Sequence, residues 1–305
     1  MMLDRFAREL TEQEEAWLAC FSTMGELGKE AVDSLAGTSQ GRIVHGRGVG
    51  GDTTLELDRR AEEAILVSLD ALAPEAYGVV SEEEGVIVGP DGSATVLIDP
   101  VDGSLNAKRG LAPFCAAFAL GRGSTLRDVE IGFVADYTKP AWYAAVAGAG
   151  YAAAAVSQVA PLEGDGASSA AADDQDPRWG AEVEVVLLEA GRPHVHTFAY
   201  GDLALLAGDA AGPEMRVRQI GSLALCLCHL SSGTADMLFA PVPSRSVDIA
   251  GGLLMVAESG GGAASLDGSD LWAQPLDLEK RAPFVAWRRG LDPDRVVSAA
   301  RSIVA

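Results

Sequence analysis

The sequence predicts a two-part chain, α+β in its first half and α/β in its second, and three observations carry that prediction. Two amphipathic segments open the chain. A run of alternating apolar segments broken by Gly, Asp and Pro turns follows, as expected of a mostly antiparallel sheet. Beyond a polar stretch of small residues at 157–180, strand-like and helix-like segments interleave, the pattern of an α/β unit. We therefore place an N-terminal half at 1–156 and a C-terminal half at 157–305.

Taken in order, Leu10 to Leu35 has helical spacing with acidic residues early, and "TTLEL" reads as a short strand. From Asp58, "DRRAEEAILVSLDAL" places Ala61, Ile65, Leu69 and Leu72 on one helical face. "YGVVS" is a strand ending in an acidic turn, and "ATVLID" is apolar enough to be a strand buried on both faces. "FCAAFALG", "VEIGFVAD" and "AWYAAV" continue the sheet. In the second half, "EVEVVLLE", "RVRQIG", "ADMLFA" and "PFVAW" read as strands, with helices at about 201–210, 222–232, 249–259 and 292–304.

With 305 residues, 48% of them hydrophobic, the chain can bury a large core. A formal charge of −21 argues against nucleic acid or an anionic membrane as partner, because both would be repelled. No apolar run reaches the length of about 18 residues that a membrane helix needs, and the charged opening "MMLDRFARELTEQEEAW" is unlike a signal peptide. The expectation is a cytoplasmic protein. Its four cysteines, Cys20, Cys115, Cys226 and Cys228, have no C-x-x-C spacing and read as reduced packing residues.

"GRGVGG" at 46–51 matches the dinucleotide pattern G-x-G-x-x-G, but a strand-like "DTTLELD" follows where a helix would have to open. The carboxylates are more informative. Glu82, Glu83 and Glu84 end one strand, Asp99 and Asp102 end the next in "IDPVDGS", and Asp248 precedes the apolar helical run "DIAGGLLMVAE". Each alone has a structural explanation as a solvated turn, an Asp-Pro turn or an N-cap. Together they form an all-oxygen donor set suited to magnesium, whereas the four histidines lack zinc spacing. If a helix begins at Ser104, the amides of Gly103 and Ser104 lie at its positive end, where a phosphate could dock.

At this point the sequence resembles the inositol monophosphatase family of magnesium-dependent sugar phosphatases. The resemblance rests on "GGDTTLELDRRAEE", "VVSEEEG", "LIDPVDGSLNAKRGLAPF" and "SVDIAGGLLMVAESGG", in that order, with "RQIGSLALCLCHLSSGTADMLF" before the last of them. It implies a five-layered αβαβα sandwich, commonly homodimeric, with the site between its halves. It also implies that Glu82, Asp99, Asp102, Asp248 and the Val101 carbonyl bind two or three Mg2+ ions, that Asp58 and Ser104 activate the attacking water, and that Glu83 supports them. The substrate expected is a small phosphate ester, inositol-1-phosphate or fructose-1,6-bisphosphate. A 3'-phosphoadenosine 5'-phosphate or histidinol-phosphate phosphatase, or a catalytically silent regulatory relative, are the alternatives. Two departures bear on substrate: Val247 stands where eukaryotic inositol phosphatases usually carry tryptophan, and Pro241 where the family's inositol-contacting acid falls. "NAKRGLAPF" and "PSRSVD" are more similar to the archaeal and bacterial dual-specificity branch. Arg245 could contact a substrate phosphate or pair with an acidic neighbour.

Overall fold

The computed structural model describes residues 6–51, 53–91, 93–155, 183–189, 211–279 and 282–304. The 157–180 segment and the helix expected at 201–210 lie outside these residues.

Helix α1 (Glu12–Asp33) begins at a capping box: the Thr11 hydroxyl accepts from the Glu14 amide at 3.2 Å and the Glu14 carboxylate accepts from the Thr11 amide at 2.7 Å. Its buried stripe, Trp17, Phe21 and Met24, faces the first sheet, where Phe21 meets Phe118 and Phe133 with ring centroids 5.6 and 6.4 Å away. A hairpin of β1 (Val44–Arg47) and β2 (Thr53–Leu55) leads into α2 (Glu56–Leu72). This helix starts two residues before the expected Asp58, because the Asp58 carboxylate caps the first turn by accepting from the Leu55 amide at 2.9 Å. Ala61, Ile65 and Leu69 are buried as the spacing predicts, but Leu72, in the last turn, is 45% exposed.

Seven strands form the first sheet, in the order β4 (Gly85–Ile87), β3 (Tyr77–Ser81), β5 (Ala94–Asp102), β6 (Cys115–Gly121), β7 (Val129–Asp136), β8 (Ala141–Val146) and β9 (Gly150–Ala155). All neighbours are antiparallel except β3 and β5. The second sheet is mixed, in the order β11 (Ala211–Arg218), β10 (Val183–Leu188), β12 (Met237–Ser244), β14 (Ala282–Trp287) and β13 (Gly262–Ser265). The short helix α3 (Ser104–Arg109) follows β5, and α4 (Leu223–Ser231), α5 (Ser246–Glu258) and α6 (Pro293–Val304) belong to the second half.

Period-two alternation turns these elements into five layers. On β5, Val96 and Ile98 pack toward α1 and α2, while Leu97 joins the opposite cluster with Leu227 of α4 and Ile249 of α5. On β12, Leu238 and Ala240 belong to that same central cluster, and Met237 and Phe239 face outward with Val296 and Ala300 of α6. The order is helix, sheet, helix, sheet, helix. One apolar layer, built on α4 and α5, therefore draws residues from both sides of residue 156 and holds the two sheets together. The four cysteines are free and buried.

Candidate active site

The question posed by "IDPVDGS" is how two aspartates three residues apart serve one site, since strand alternation would send them to opposite faces. A bulge resolves it. Asp99 pairs with Ala117 and Asp102 with Cys115, so two residues of β5 oppose one of β6 and both carboxylates emerge on the face of the central helices. Beside them, β3 runs parallel to β5, and the Glu82 amide continues the ladder by donating to the Ile98 carbonyl at 3.2 Å. Glu82 and Asp99 thus leave the same edge of the sheet. Helix α5 starts opposite that edge, with Asp248 as its third residue accepting from the Arg245 amide at 2.9 Å.

These three segments bring one oxygen each of Glu82, Asp99 and Asp248 within 4.8 Å of one another. Asp99 is 3% exposed, and burial together with the charges of Glu82, Asp102 and Asp248 pushes its carboxyl well above the usual range. Glu82 is likewise raised by burial, with Arg245 opposing and Asp248 adding to the shift. Three crowded acids built only of hard oxygen donors fit a divalent hard cation, which would compensate the repulsion. Asp248 belongs to this cluster but is not the N-cap expected from sequence: Arg245 holds that position, and Asp248, three residues into the helix, accepts from its amide.

Asp102 stands apart from the trio. Its carboxylate accepts from the Ser222 hydroxyl at 2.6 Å and from the Leu223 and Ala224 amides at 3.2 and 2.7 Å, tying the bulge to the start of α4. Burial lifts its carboxyl to about 6, with those bonds opposing. Val101 is buried beside it; its amide donates to Asp99 at 3.0 Å, and its carbonyl accepts from the Ser104 hydroxyl at 2.8 Å. Gly103 begins α3 in the left-handed region, at φ 94°, where a Cβ would lie 3.0 Å from the Gly221 carbonyl.

Asp58 sits behind Ser104. Its second oxygen, Oδ1, is buried without a hydrogen-bond partner among the described residues. Burial lifts its carboxyl to about 7, the Leu55 amide opposing, the charge of Glu83 adding and the Ser104 hydroxyl opposing. Glu83 accepts from the Thr54 hydroxyl and so links the acidic turn to β2.

The "GRGVGG" segment runs from the end of β1 into the β1–β2 turn, closed over the acidic residues: the Val49 and Gly50 amides donate to the Glu83 and Glu82 carbonyls at 3.2 and 2.8 Å. A Cβ on Gly48 would strike the Glu83 carboxylate, and one on Gly50 the Arg245 guanidinium. The glycines permit close backbone approach to carboxylates, which is a different use from cradling a dinucleotide. Arg245, 7% exposed, pairs with Glu82 at 2.5 Å and Asp248 at 2.9 Å, so of the two readings left open the structure displays the ion pair.

One residue that reading the sequence missed is Glu62. It lies one turn beyond Asp58 on α2, 3% exposed, and accepts from the Ser81 hydroxyl and, at 3.3 Å, from the Glu84 amide. Burial raises its carboxyl to about 7, those bonds opposing. The acid at 62 on a helix's apolar face was the available signal. Through Asp58 and Glu62, a single helix holds both the Ser104 side of the site and the acidic turn.

Comparisons with known proteins bear on this arrangement. A model of the inositol monophosphatase family matches residues 19–303. A fructose-1,6-bisphosphatase/inositol-1-monophosphatase of Archaeoglobus fulgidus is 27% identical over 251 residues, covering 81% of this chain and 84% of that protein. One of the same description from Thermococcus kodakarensis is 30% identical, covering 76% and 77%. Among solved structures, an inositol monophosphatase–fructose 1,6-bisphosphatase superposes with a TM-score of 0.71 at 21% identity, over 94% of this chain and 99% of that one. Among the described residues, no helix is long and apolar enough to cross a membrane. Since the family match runs through the hairpin, the bulged β5 and the start of α5 that assemble the acids, the chain belongs to the inositol monophosphatase family and is a phosphatase acting on small phosphorylated substrates.

Proposed function

We propose that this phosphatase hydrolyses the monoester of a small sugar or polyol phosphate, inositol-1-phosphate or fructose-1,6-bisphosphate, with Mg2+ held by Glu82, Asp99 and Asp248. The observation that carries the reading is the convergence of these three oxygens within 4.8 Å beside the "DGS" turn. Asp102 and the Val101 carbonyl border the same bulge and extend the donor set toward a second ion. Bound Mg2+ supplies polarisation of the phosphoryl oxygens and a more acidic water. Asp58, with one unbonded oxygen and a carboxyl near 7, accepts the proton of the attacking water, and Ser104 orients that water. The Gly103 and Ser104 amides receive the phosphate. Glu83, fixed by Thr54, keeps the acidic turn in place. The bisphosphatase names of the archaeal relatives, and Pro241 in place of a hydroxyl-binding acid, support a permissive sugar pocket in a homodimeric enzyme.

Phosphate release with Mg2+ across inositol-1-phosphate, fructose-1,6-bisphosphate, 3'-phosphoadenosine 5'-phosphate and histidinol phosphate tests this. Turnover of one or both of the first two is expected. Turnover confined to the nucleotide or to histidinol phosphate would overturn the substrate class, and full activity in excess chelator would overturn the metal.

A further inference from the structure

The acids that form the metal centre are already in contact with a cation of the protein's own. The Arg245 Nη2 donates to Glu82 Oε1 at 2.5 Å and to Asp248 Oδ1 at 2.9 Å, and Nε lies 3.2 Å from both oxygens of Asp248. From the other side, Nη1 donates to the Gly50 carbonyl at 3.3 Å, so the hairpin helps to hold the guanidinium over the carboxylates. The side chain is 8% exposed, and the carboxylates it bridges are 12% and 14% exposed. Asp248 also takes its helix-capping bond from residue 245, so both of its oxygens are committed to that one residue.

Resting on the reading of Glu82, Asp99 and Asp248 as metal ligands, we propose that Arg245 is the site's internal counter-cation. It neutralises Glu82 and Asp248 in the metal-free protein, and a divalent ion binds by displacing it. The argument is steric and electrostatic. Magnesium binds carboxylate oxygens at about 2.0–2.1 Å. The guanidinium sits at hydrogen-bond distance on Glu82 Oε1 and Asp248 Oδ1, and two cations cannot share those oxygens at contact distance without strong repulsion. Asp99, the third acid, accepts from the Val101 amide at 3.0 Å. An arginine here keeps the buried acids compatible with folding before metal arrives, at the cost of weaker metal binding.

The test is Mg2+ titration by calorimetry on the full-length wild type, Arg245→Gln and Arg245→Lys, with melting of each in chelator. Arg245→Gln should melt lower than wild type in chelator. It should also bind Mg2+ at least about tenfold more tightly, the lower end of what one contacting charge exerts in a partly screened site. The lysine variant, which keeps the charge but loses the planar fork, should fall between. Unchanged or weaker Mg2+ affinity in Arg245→Gln overturns the proposal, and a rise in KM for a bisphosphate with unchanged metal affinity makes Arg245 a second-phosphate contact instead. Should the glutamine variant fail to fold without metal, the wild type still decides. Its Arg245 Nε–Hε nitrogen resonance, assigned by its loss in the lysine variant, should shift on adding Mg2+, and an unmoved resonance rejects displacement. A wild type that binds no Mg2+ would instead refute the metal centre itself.

Discussion

Replacing Asp99 with asparagine should move stability and activity in opposite directions, and the structure sets the size of each change. Asparagine is nearly isosteric and keeps the acceptor for the Val101 amide, a bond of 3.0 Å, so packing is preserved. What disappears is a buried negative charge with two like-charged oxygens within 4.8 Å. At an effective dielectric near 20, each such pair repels by about 3 kcal/mol, although protonation of the raised carboxyls and the Arg245 charge offset much of it. A net gain of about 1–2 kcal/mol in chelator is expected, which for a chain of this size is a rise of roughly 1.5–3 °C in Tm. With Mg2+ present, loss of one ligand should lower kcat by about three powers of ten, or about 4 kcal/mol of transition-state stabilisation. Scanning calorimetry in chelator and phosphate release in Mg2+ read the two arms. A variant that melts lower in chelator while keeping near-native turnover would show that Asp99 is structural and refute the reasoning.

Three further outcomes follow from other parts of the molecule. Gly50→Ala should reduce turnover by about tenfold or more with a small change in Tm, because its Cβ meets Arg245 and the Glu82 carbonyl rather than the core; unchanged kinetics would mean the hairpin yields freely. Arg288→Ala should cost about 3–5 kcal/mol in urea unfolding. It strands Asp236, which pairs with Arg288 at 2.5 Å and accepts from the Glu184 and Val185 amides at 2.7 and 2.6 Å; a loss within error would show that the pair is replaceable. In chelator, stability should fall as pH rises from 5 to 8. Asp58 and Glu62 have folded-state carboxyls near 7, above their unfolded values, so the native state binds more protons and its advantage is lost as pH climbs through 7. Glu62→Gln should flatten that slope, and a stability that rises with pH would contradict the burial of both acids.

Much of the fold was legible because it depends on periodicity. The α2 stripe at Ala61, Ile65 and Leu69 and the apolar run of β5 are buried as their spacing requires. Short or weakly apolar strands were not legible. β1, β4, β9 and β13 were missed because they have only four, three, six and four residues and, in "GYAAAA" and "GAAS", small side chains that carry no amphipathic signal. β11 begins at Ala211, five residues before the expected "RVRQIG", since its Gly and Pro read as a turn. The helical stripe predicts Leu72 inside, but as the last residue of α2 it is exposed.

The site divides along a similar line. Glu82, Asp99 and Asp248 could be nominated from sequence because each ends or begins an element, and elements end where layers open. What no local pattern encodes is which acid pairs with which partner across the chain. Asp102 is engaged by Ser222, 120 residues away, and Glu82 by Arg245, 163 residues away. Both partners come from the second half and both contacts close on a residue of the first, so the relative placement of the two sheets fixes the electrostatics of the site. That dependence runs through the packed central layer. Leu97 of β5, Leu227 of α4 and Ile249 of α5 share one core. A cavity made there at Ile249 should therefore disturb the separation of Asp248 from Asp99 and weaken metal binding before it unfolds the protein, whereas an equal cavity at Val296, on the far side of the second sheet, should cost stability alone.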